Sequence, residues 1–106
     1  MREIKFRAWD VLLRRMMHNV TGAVEMSRRP DFEIMQYTGL KDKNGKEIYE
    51  GDILKGGLGN YIVAWNKLET CYQAKATGYG ASPLHYFLEY GEVIGNIYEN
   101  KELLEG

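Results

Sequence analysis

The sequence predicts a mainly β, or β-rich α+β, protein that contains a small SH3-like barrel, N-terminal strands and a short C-terminal helical turn. Over residues 36–98, short β-type runs recur at regular spacing with turn glycines between them, which is the pattern of a small closed or nearly closed barrel. The composition agrees, since the 106 residues include eight tyrosines and twelve glycines but only two prolines. Such a composition favours β-structure with many tight turns.

The first predicted strand covers residues 2–10, where apolar and charged residues alternate. Ile4, Phe6 and Ala8 share one face, as expected for a half-buried strand. Trp9 lies on the other face among charged residues. Its position suggests that a partner strand or a subunit partly covers this face as well.

The segment that follows is less regular. Residues 11–20 fit either a helical turn or a strand, and pairing with the first strand as a hairpin favours the strand. Residues 23–31 are predicted to form a loop, because the pattern is broken by the Thr-Gly pair at 21–22. Residues 32–37 alternate again, which predicts a strand.

The central segment, residues 36–54, carries the clearest local signal. The Asn-Gly pair at 44–45 is the strongest short-range hairpin signal, because both residues tolerate the positive φ that a tight turn needs. A Gly-Asp bend at 51–52 then leads into a third strand. Ile48 and Ile53 are the expected core residues around this bend.

The remaining elements follow from residue types and turn signals. They are a flexible glycine-rich turn at 56–60, strands at 61–66 and 69–76, a mobile connection at 77–83, a strand or helix at 84–90, a closing strand at 92–98 and a helical turn at 99–104. Two domains are predicted: an N-terminal β subdomain or arm over residues 1–35, and the barrel with its C-terminal turn over residues 36–106.

Charge is nearly balanced overall but unevenly distributed. The formal net charge of −1 gives no bulk electrostatic argument for nucleic acid or an anionic membrane. Basic residues crowd the start, at Arg2, Lys5, Arg7, Arg14, Arg15, Arg28 and Arg29, and acidic residues crowd the end, at Glu89, Glu92, Glu99, Glu102 and Glu105. These are either solvated surfaces of opposite sign or two ends that attract, within one chain or between subunits, and so guide association.

Cellular location is constrained by three sequence features. A single cysteine, Cys71, excludes an internal disulfide and fits a reducing compartment. The first residues carry charge without an apolar segment, so no signal peptide is expected. No apolar run approaches the ~20 residues of a membrane span. The sequence therefore predicts a soluble, cytoplasmic protein with no membrane partner.

Three segments carry a resemblance to a known family: residues 4–10, residues 35–53 and residues 93–100 followed by Glu-Leu-Leu at 102–104. In the same order, they resemble stretches of the YopX family of phage and prophage proteins, and residues 35–53 are the most specific. Lys101 stands where the family pattern usually has a proline. The resemblance implies a mostly β protein of unknown role in the cytoplasm of a bacterial host cell. It transfers no catalytic residue, because the family has no established activity.

No catalytic, metal or cofactor site is predicted. Glu47, Glu50 and Asp52 cluster at one bend, and such a pair can act as acid and base. A carboxylate at a turn, however, more often accepts hydrogen bonds from nearby backbone N–H groups. The soft or borderline metal ligands lack the short paired spacing of a zinc site; they are His18, Cys71 and His85.

Nucleic acid is a possible partner. Small barrels bind single strands by stacking bases on aromatic side chains beside a basic groove. The candidate residues for such a surface are Lys55, Tyr61, Trp65 and Lys67, of which Tyr61 and Trp65 have the same strand parity. The alternative is that this row is simply the barrel core, and the near-neutral charge counts against tight binding.

The favoured hypothesis is a non-enzymatic accessory protein that forms a homo-oligomer and binds a host or phage protein. The position of Trp9, the complementary charges of the two ends and the lack of a catalytic set support it. The alternative is a nucleic-acid-binding small barrel. An enzyme would instead require acidic or imidazole side chains from Glu47, Glu50, Asp52 or His85 to converge in a cleft.

Overall fold

The computed structural model describes residues 3–56, 59–76 and 80–104, and it is mostly β, as the sequence predicts. The strands are β1 Phe6–Asp10, β2 Arg15–Met17, β3 Phe32–Lys41, β4 Glu47–Tyr49, β5 Asp52–Lys55, β6 Asn60–Asn66, β7 Cys71–Ala76, β8 Gly80–Pro83 and β9 Glu92–Asn96. The helices are α1 Ala23–Ser27 and two 3₁₀ helices at Leu84–Phe87 and Lys101–Leu104. The last of these confirms the predicted C-terminal helical turn.

The chain divides into two compact units, Met1–Tyr37 and Thr38–Gly106, and the division falls inside β3. The predicted boundary lies at residues 35/36, and the assignment of the two parts as an N-terminal subdomain and a barrel domain stays a prediction.

In the N-terminal unit, β1 is the central strand. It pairs antiparallel with β2 on one side and with β3 on the other, so Ala8 faces both Met17 and Ile34. Within the ambiguous segment 11–20, the strand interpretation is confirmed for Arg15–Met17, whereas residues 11–14 form the turn that joins β1 to β2. Trp9 is buried within the chain, at 8% exposed, which confirms that its face of the strand is covered. Because it is buried, Trp9 is not an exposed interface residue, and it no longer supports self-association.

The loop predicted over residues 23–31 contains a short helix instead. Helix α1 follows Gly22, which adopts a left-handed conformation with φ 69°, and its first bond runs from the Met26 N–H to the Gly22 carbonyl. None of its residues is buried. The sequence does not signal this helix because it is a single turn without an apolar stripe or a capping side chain.

In the C-terminal unit, five antiparallel strands form a sheet in the order β8-β7-β6-β5-β9. Its buried cluster comprises Ile48, Leu54, Val63, Ala74, Leu84, Phe87 and Val93. Ile48 and Ile53 are 1% and 0% exposed, which confirms both as core residues. The SH3-like character of this unit stays a prediction.

Two predicted segments differ from the structure. Of the mobile connection predicted at 77–83, residues 77–79 lie outside the described residues, and the remainder is strand β8. This strand has no β-branched or aromatic residue, so the sequence carries no strand signal, and its pairing with β7 determines it. The strand or helix predicted at 84–90 is a 3₁₀ helix at its start. In the predicted flexible turn at 56–60, residues 57 and 58 lie outside the described residues.

The Asn-Gly hairpin forms, but with a longer loop than a two-residue turn. The loop, called here the anchor loop, comprises Asp42–Lys46 between β3 and β4. Gly45 has φ 82°, whereas Asn44 does not adopt positive φ. Of the two residues that tolerate positive φ, this turn uses it at Gly45 and not at Asn44. The Gly45 N–H donates to the Asp42 carbonyl at 3.0 Å, so one turn followed by a left-handed glycine closes the hairpin.

Candidate functional site

Two of the four residues predicted to bind nucleic acid lie on the core face of strand β6. Tyr61 is the register partner of Leu54, and its ring packs on Phe87 with 4.8 Å between the ring centroids. Trp65 is the partner of Tyr72, and their rings meet edge to face at 4.9 Å. Trp65 remains 42% exposed, so the aromatic row is core at one end and surface at the other.

The two lysines of the set lie elsewhere. Lys55 is the register partner of Asn60, which places it on the face of the sheet opposite to Tyr61. Lys67 lies in the β6–β7 turn. In this turn the Asn66 side chain accepts hydrogen bonds from the backbone N–H groups of Leu68 and Glu69. The structure therefore brings Trp65 and Lys67 to one end of β6 but does not combine all four residues in one groove.

Three consecutive aliphatic residues of the N-terminal unit are exposed and form a surface that the sequence does not single out. Residues 11–14 connect β1 to β2 and are called here the tip loop. Val11, Leu12 and Leu13 are 43%, 75% and 63% exposed. The only signal in the sequence is three consecutive aliphatic residues before Arg14-Arg15, a pattern that equally fits a buried strand.

The backbone of the tip loop is fixed although its side chains are in solvent. The Asp10 carboxylate is buried and accepts the backbone N–H groups of Leu12 and Leu13, both at 3.0 Å. The Val11 N–H donates to the Asp31 carbonyl at 2.9 Å, and the Arg14 N–H donates to the Asp10 carbonyl at 2.8 Å. The loop thus presents three aliphatic side chains from a backbone that is ordered before any partner binds.

The anchor loop is organised by a second buried carboxylate. Asp42 accepts the N–H groups of Asn44 and Lys46 with one oxygen, and the N–H of Val93 in β9 with the other, all at 2.9 Å. Burial raises the pKa of Asp42, but these three hydrogen bonds and the nearby Lys46 charge outweigh it. The pKa of Asp42 therefore lies below its ordinary value, and the group is a structural anion.

One of the carboxylates at the bend also accepts a backbone hydrogen bond. The Asp52 carboxylate is 2% exposed and accepts the backbone N–H of Tyr49 at 2.8 Å. The predicted turn role of this residue is therefore confirmed. The donor, Tyr49, precedes Asp52 by three residues, so this hydrogen bond closes the bend that joins β4 to β5.

Neither a metal-type cluster nor a membrane-spanning helix occurs among the described residues. In residues 3–56, 59–76 and 80–104, no three histidine, cysteine or acidic side chains approach one another as metal ligands would. Within the same ranges, no helix has both the length and the apolar character needed to cross a membrane.

Comparisons with known proteins identify the relatives of this chain. The sequence is similar to solved structures of protein EF1440 from Enterococcus faecalis and of yopX from Bacillus subtilis. The first is 26% identical with a TM-score of 0.73, over 99% of this chain and 100% of that one. The second is 20% identical with a TM-score of 0.59, over 100% of this chain and 98% of that one, and it supports the fold. No curated protein matches.

The family match covers most of the chain. The sequence pattern of the YopX protein family matches residues 14–105, which include the whole C-terminal unit apart from its last residue. The segments that carry the resemblance in the sequence coincide with structured parts of the fold, namely β1, the anchor loop with its flanking strands, and β9 with the following 3₁₀ helix. The chain belongs to the YopX family.

Proposed function

We propose that this protein is a non-enzymatic, self-associating interaction module, and that the tip loop is the part of each copy that contacts another copy. As a member of the YopX family, it would act as an accessory protein encoded by a phage or prophage, in the cytoplasm of the bacterial host. The observation that carries the proposal is the exposure of Val11, Leu12 and Leu13 on a hydrogen-bonded backbone.

The physical argument rests on burial and preorganisation. Burying one aliphatic side chain of this kind on association contributes about 1.5–3 kcal/mol. Ordering a flexible loop would consume part of that gain, but the bonds to Asp10 and Asp31 have already fixed this backbone. Binding through this rigid aliphatic loop therefore costs little conformational entropy.

The charge distribution supports a second copy as the partner. Arg14 and Arg15 follow the aliphatic residues and are exposed, and neither makes an ion pair within the part of the chain that the structure describes. The C-terminal unit carries exposed acidic residues at Glu89, Glu99 and Glu102. A basic rim on one copy and an acidic surface on another would steer encounter and favour a head-to-tail arrangement.

The test is sedimentation velocity of the full chain over a range of micromolar concentrations, at low and high salt. We expect the average sedimentation coefficient of the wild type to rise with protein concentration, because a larger fraction associates. High salt should lower the associated fraction. The double substitution Leu12→Ser and Leu13→Ser should leave it monomeric and folded.

Leu68→Ser is the matched control, because Leu68 is 96% exposed in the β6–β7 turn, far along the chain from the tip loop. This control should associate like the wild type. A wild type that stays monomeric throughout, or a tip-loop variant that associates as well as Leu68→Ser, would contradict the proposal.

Nucleic-acid binding is the second candidate function. The observation that favours it is the 42% exposed ring of Trp65, next to the β6–β7 turn that carries Lys67. Fluorescence anisotropy against labelled single strands, duplex DNA and RNA tests it, followed by a salt titration. Binding that weakens steeply with salt and is lost in Trp65→Ala would support this function, and the absence of binding would exclude it.

A further inference from the structure

A groove in the C-terminal unit lies beside the anchor loop and has no role in the proposed self-association. Its volume is about 240 Å³, and it is lined by Lys43, Lys55, Gly56, Tyr90 and Glu92. Three separate segments of the chain meet there: the anchor loop, the end of β5 and the start of β9.

The anchor loop is attached to this groove by two hydrogen bonds, one between backbone groups and one to a carboxylate. The Lys43 N–H donates to the Gly91 carbonyl at 3.2 Å, and the Val93 N–H donates to the Asp42 carboxylate at 2.9 Å. These two bonds place Lys43 next to the residues that begin β9. The most specific segment of the sequence thus carries a lysine to a fixed position in the groove.

The groove has an excess of positive charge. Lys55 is the register partner of Glu92, so these two side chains share a face, and Lys43 adds a second ammonium group. Among the described residues, neither lysine makes an ion pair. Two ammonium groups against one carboxylate favour a ligand with a compact negative charge, such as a phosphate.

An aromatic ring forms another side of the groove. Tyr90 is 50% exposed, and its ring packs on Phe87 with 5.6 Å between the ring centroids. Phe87 packs in turn on Tyr61, so the Tyr90 ring is supported by the core. A supported, half-exposed tyrosine can stack on a planar group of a ligand.

We propose that this groove binds a nucleoside monophosphate, either free or as one residue of a single strand. The phosphate lies between the ammonium groups of Lys43 and Lys55, the base stacks on Tyr90, and the Glu92 carboxylate accepts a hydrogen bond from an amino group of the base. The groove volume of about 240 Å³ is below the roughly 300–1,000 Å³ of pockets that enclose drug-sized ligands, so part of the nucleotide stays in solvent.

The experiment is a titration of the isotopically labelled full chain, followed by amide chemical shifts. The probes are adenosine monophosphate, adenosine, inorganic phosphate and a short single strand of adenine nucleotides. We expect adenosine monophosphate to shift the amides of Lys43, Gly56, Tyr90 and Glu92, and to bind more tightly than adenosine or phosphate. The combined substitution Lys43→Ala and Lys55→Ala should weaken binding by about tenfold or more.

Lys75→Ala is the control variant, because it removes an exposed lysine of β7 outside the groove and should leave binding unchanged. A single strand that binds more tightly than the monophosphate would identify a strand as the source of the nucleotide, and one that binds equally or more weakly would identify the free nucleotide. The proposal is overturned if no probe shifts these amides, if inorganic phosphate binds as tightly as the monophosphate, or if Lys75→Ala weakens binding as much as the double substitution does.

Discussion

Two hairpin loops of this protein are built with the same device and differ in what they connect. In the tip loop, the Asp10 carboxylate accepts two backbone N–H groups from residues two and three positions later. In the anchor loop, Asp42 accepts two N–H groups from its own loop and a third from Val93, which is 51 positions away in sequence. One carboxylate organises a local turn, and the other also joins that turn to a strand of the sheet.

The difference lies in exposure as well as in reach. The bonds from the Leu12 and Leu13 N–H groups to Asp10 are only partly buried, and both residues are exposed, so water can replace the carboxylate there. The N–H of Val93 is buried, and its residue belongs to the core cluster. A turn whose carboxylate bonds only nearby backbone can present side chains for binding at little cost to stability, whereas a turn whose carboxylate is tied to the core cannot be altered without loosening the fold.

The largest effect is expected from Asp42→Ala. It leaves three backbone N–H groups without their acceptor, one of them buried, and we expect a loss of about 3 kcal/mol in the free energy of unfolding. Urea unfolding monitored by circular dichroism measures it.

Asp10→Ala is the matched variant, because it removes the carboxylate of the other loop. We expect a loss of about 1 kcal/mol, since exposed N–H groups are solvated when the acceptor is absent. Equal losses in the two variants would show that the bond to Val93 contributes nothing beyond the local turn.

The acid dependence of stability sharpens the same comparison. The pKa of Asp42 is lower in the folded protein than in the unfolded chain, so the ionised carboxylate stabilises the fold. This stabilisation is fully present above the ordinary aspartate pKa of about 3.9, and it is lost as the pH falls through the lower folded-state value.

Unfolding of the wild type and Asp42→Asn should be compared at successive pH values. The difference in stability between them should shrink as the solution is acidified below that range. A difference that stays constant with pH would contradict the assignment of Asp42 as the ionised group.

A smaller effect is expected at Gly45 of the anchor loop. Its φ of 82° is strained for any residue with a Cβ, while a Cβ there would meet nothing within 4 Å. Gly45→Ala should therefore cost only the backbone strain, about 1 kcal/mol. Thermal unfolding measures this loss, and an unchanged midpoint would show that the loop readily adopts another conformation.

The sequence predicts the elements whose signals are local. The strand at β1 follows from alternation, the β3–β4 hairpin from Asn44-Gly45, and β6 from its β-branched and aromatic residues. It misses β8 and α1 because β8 depends on its partner β7 and α1 is a single turn. The exposure of Leu12 and Leu13 could not be predicted either, because consecutive aliphatic residues equally fit a buried strand.

By itself, the sequence determined the mainly β class, the resemblance to the YopX family and the turn role of the carboxylate at Asp52. Local residue order encodes alternation, turn geometry and family pattern, so these need no knowledge of distant contacts. Only the tertiary structure decided that Trp9 is buried, that Lys55 and Tyr61 lie on opposite faces, and that the anchor loop is bonded to β9. Each of these depends on strand register and on contacts between residues far apart in the chain, which a residue-by-residue pattern does not contain.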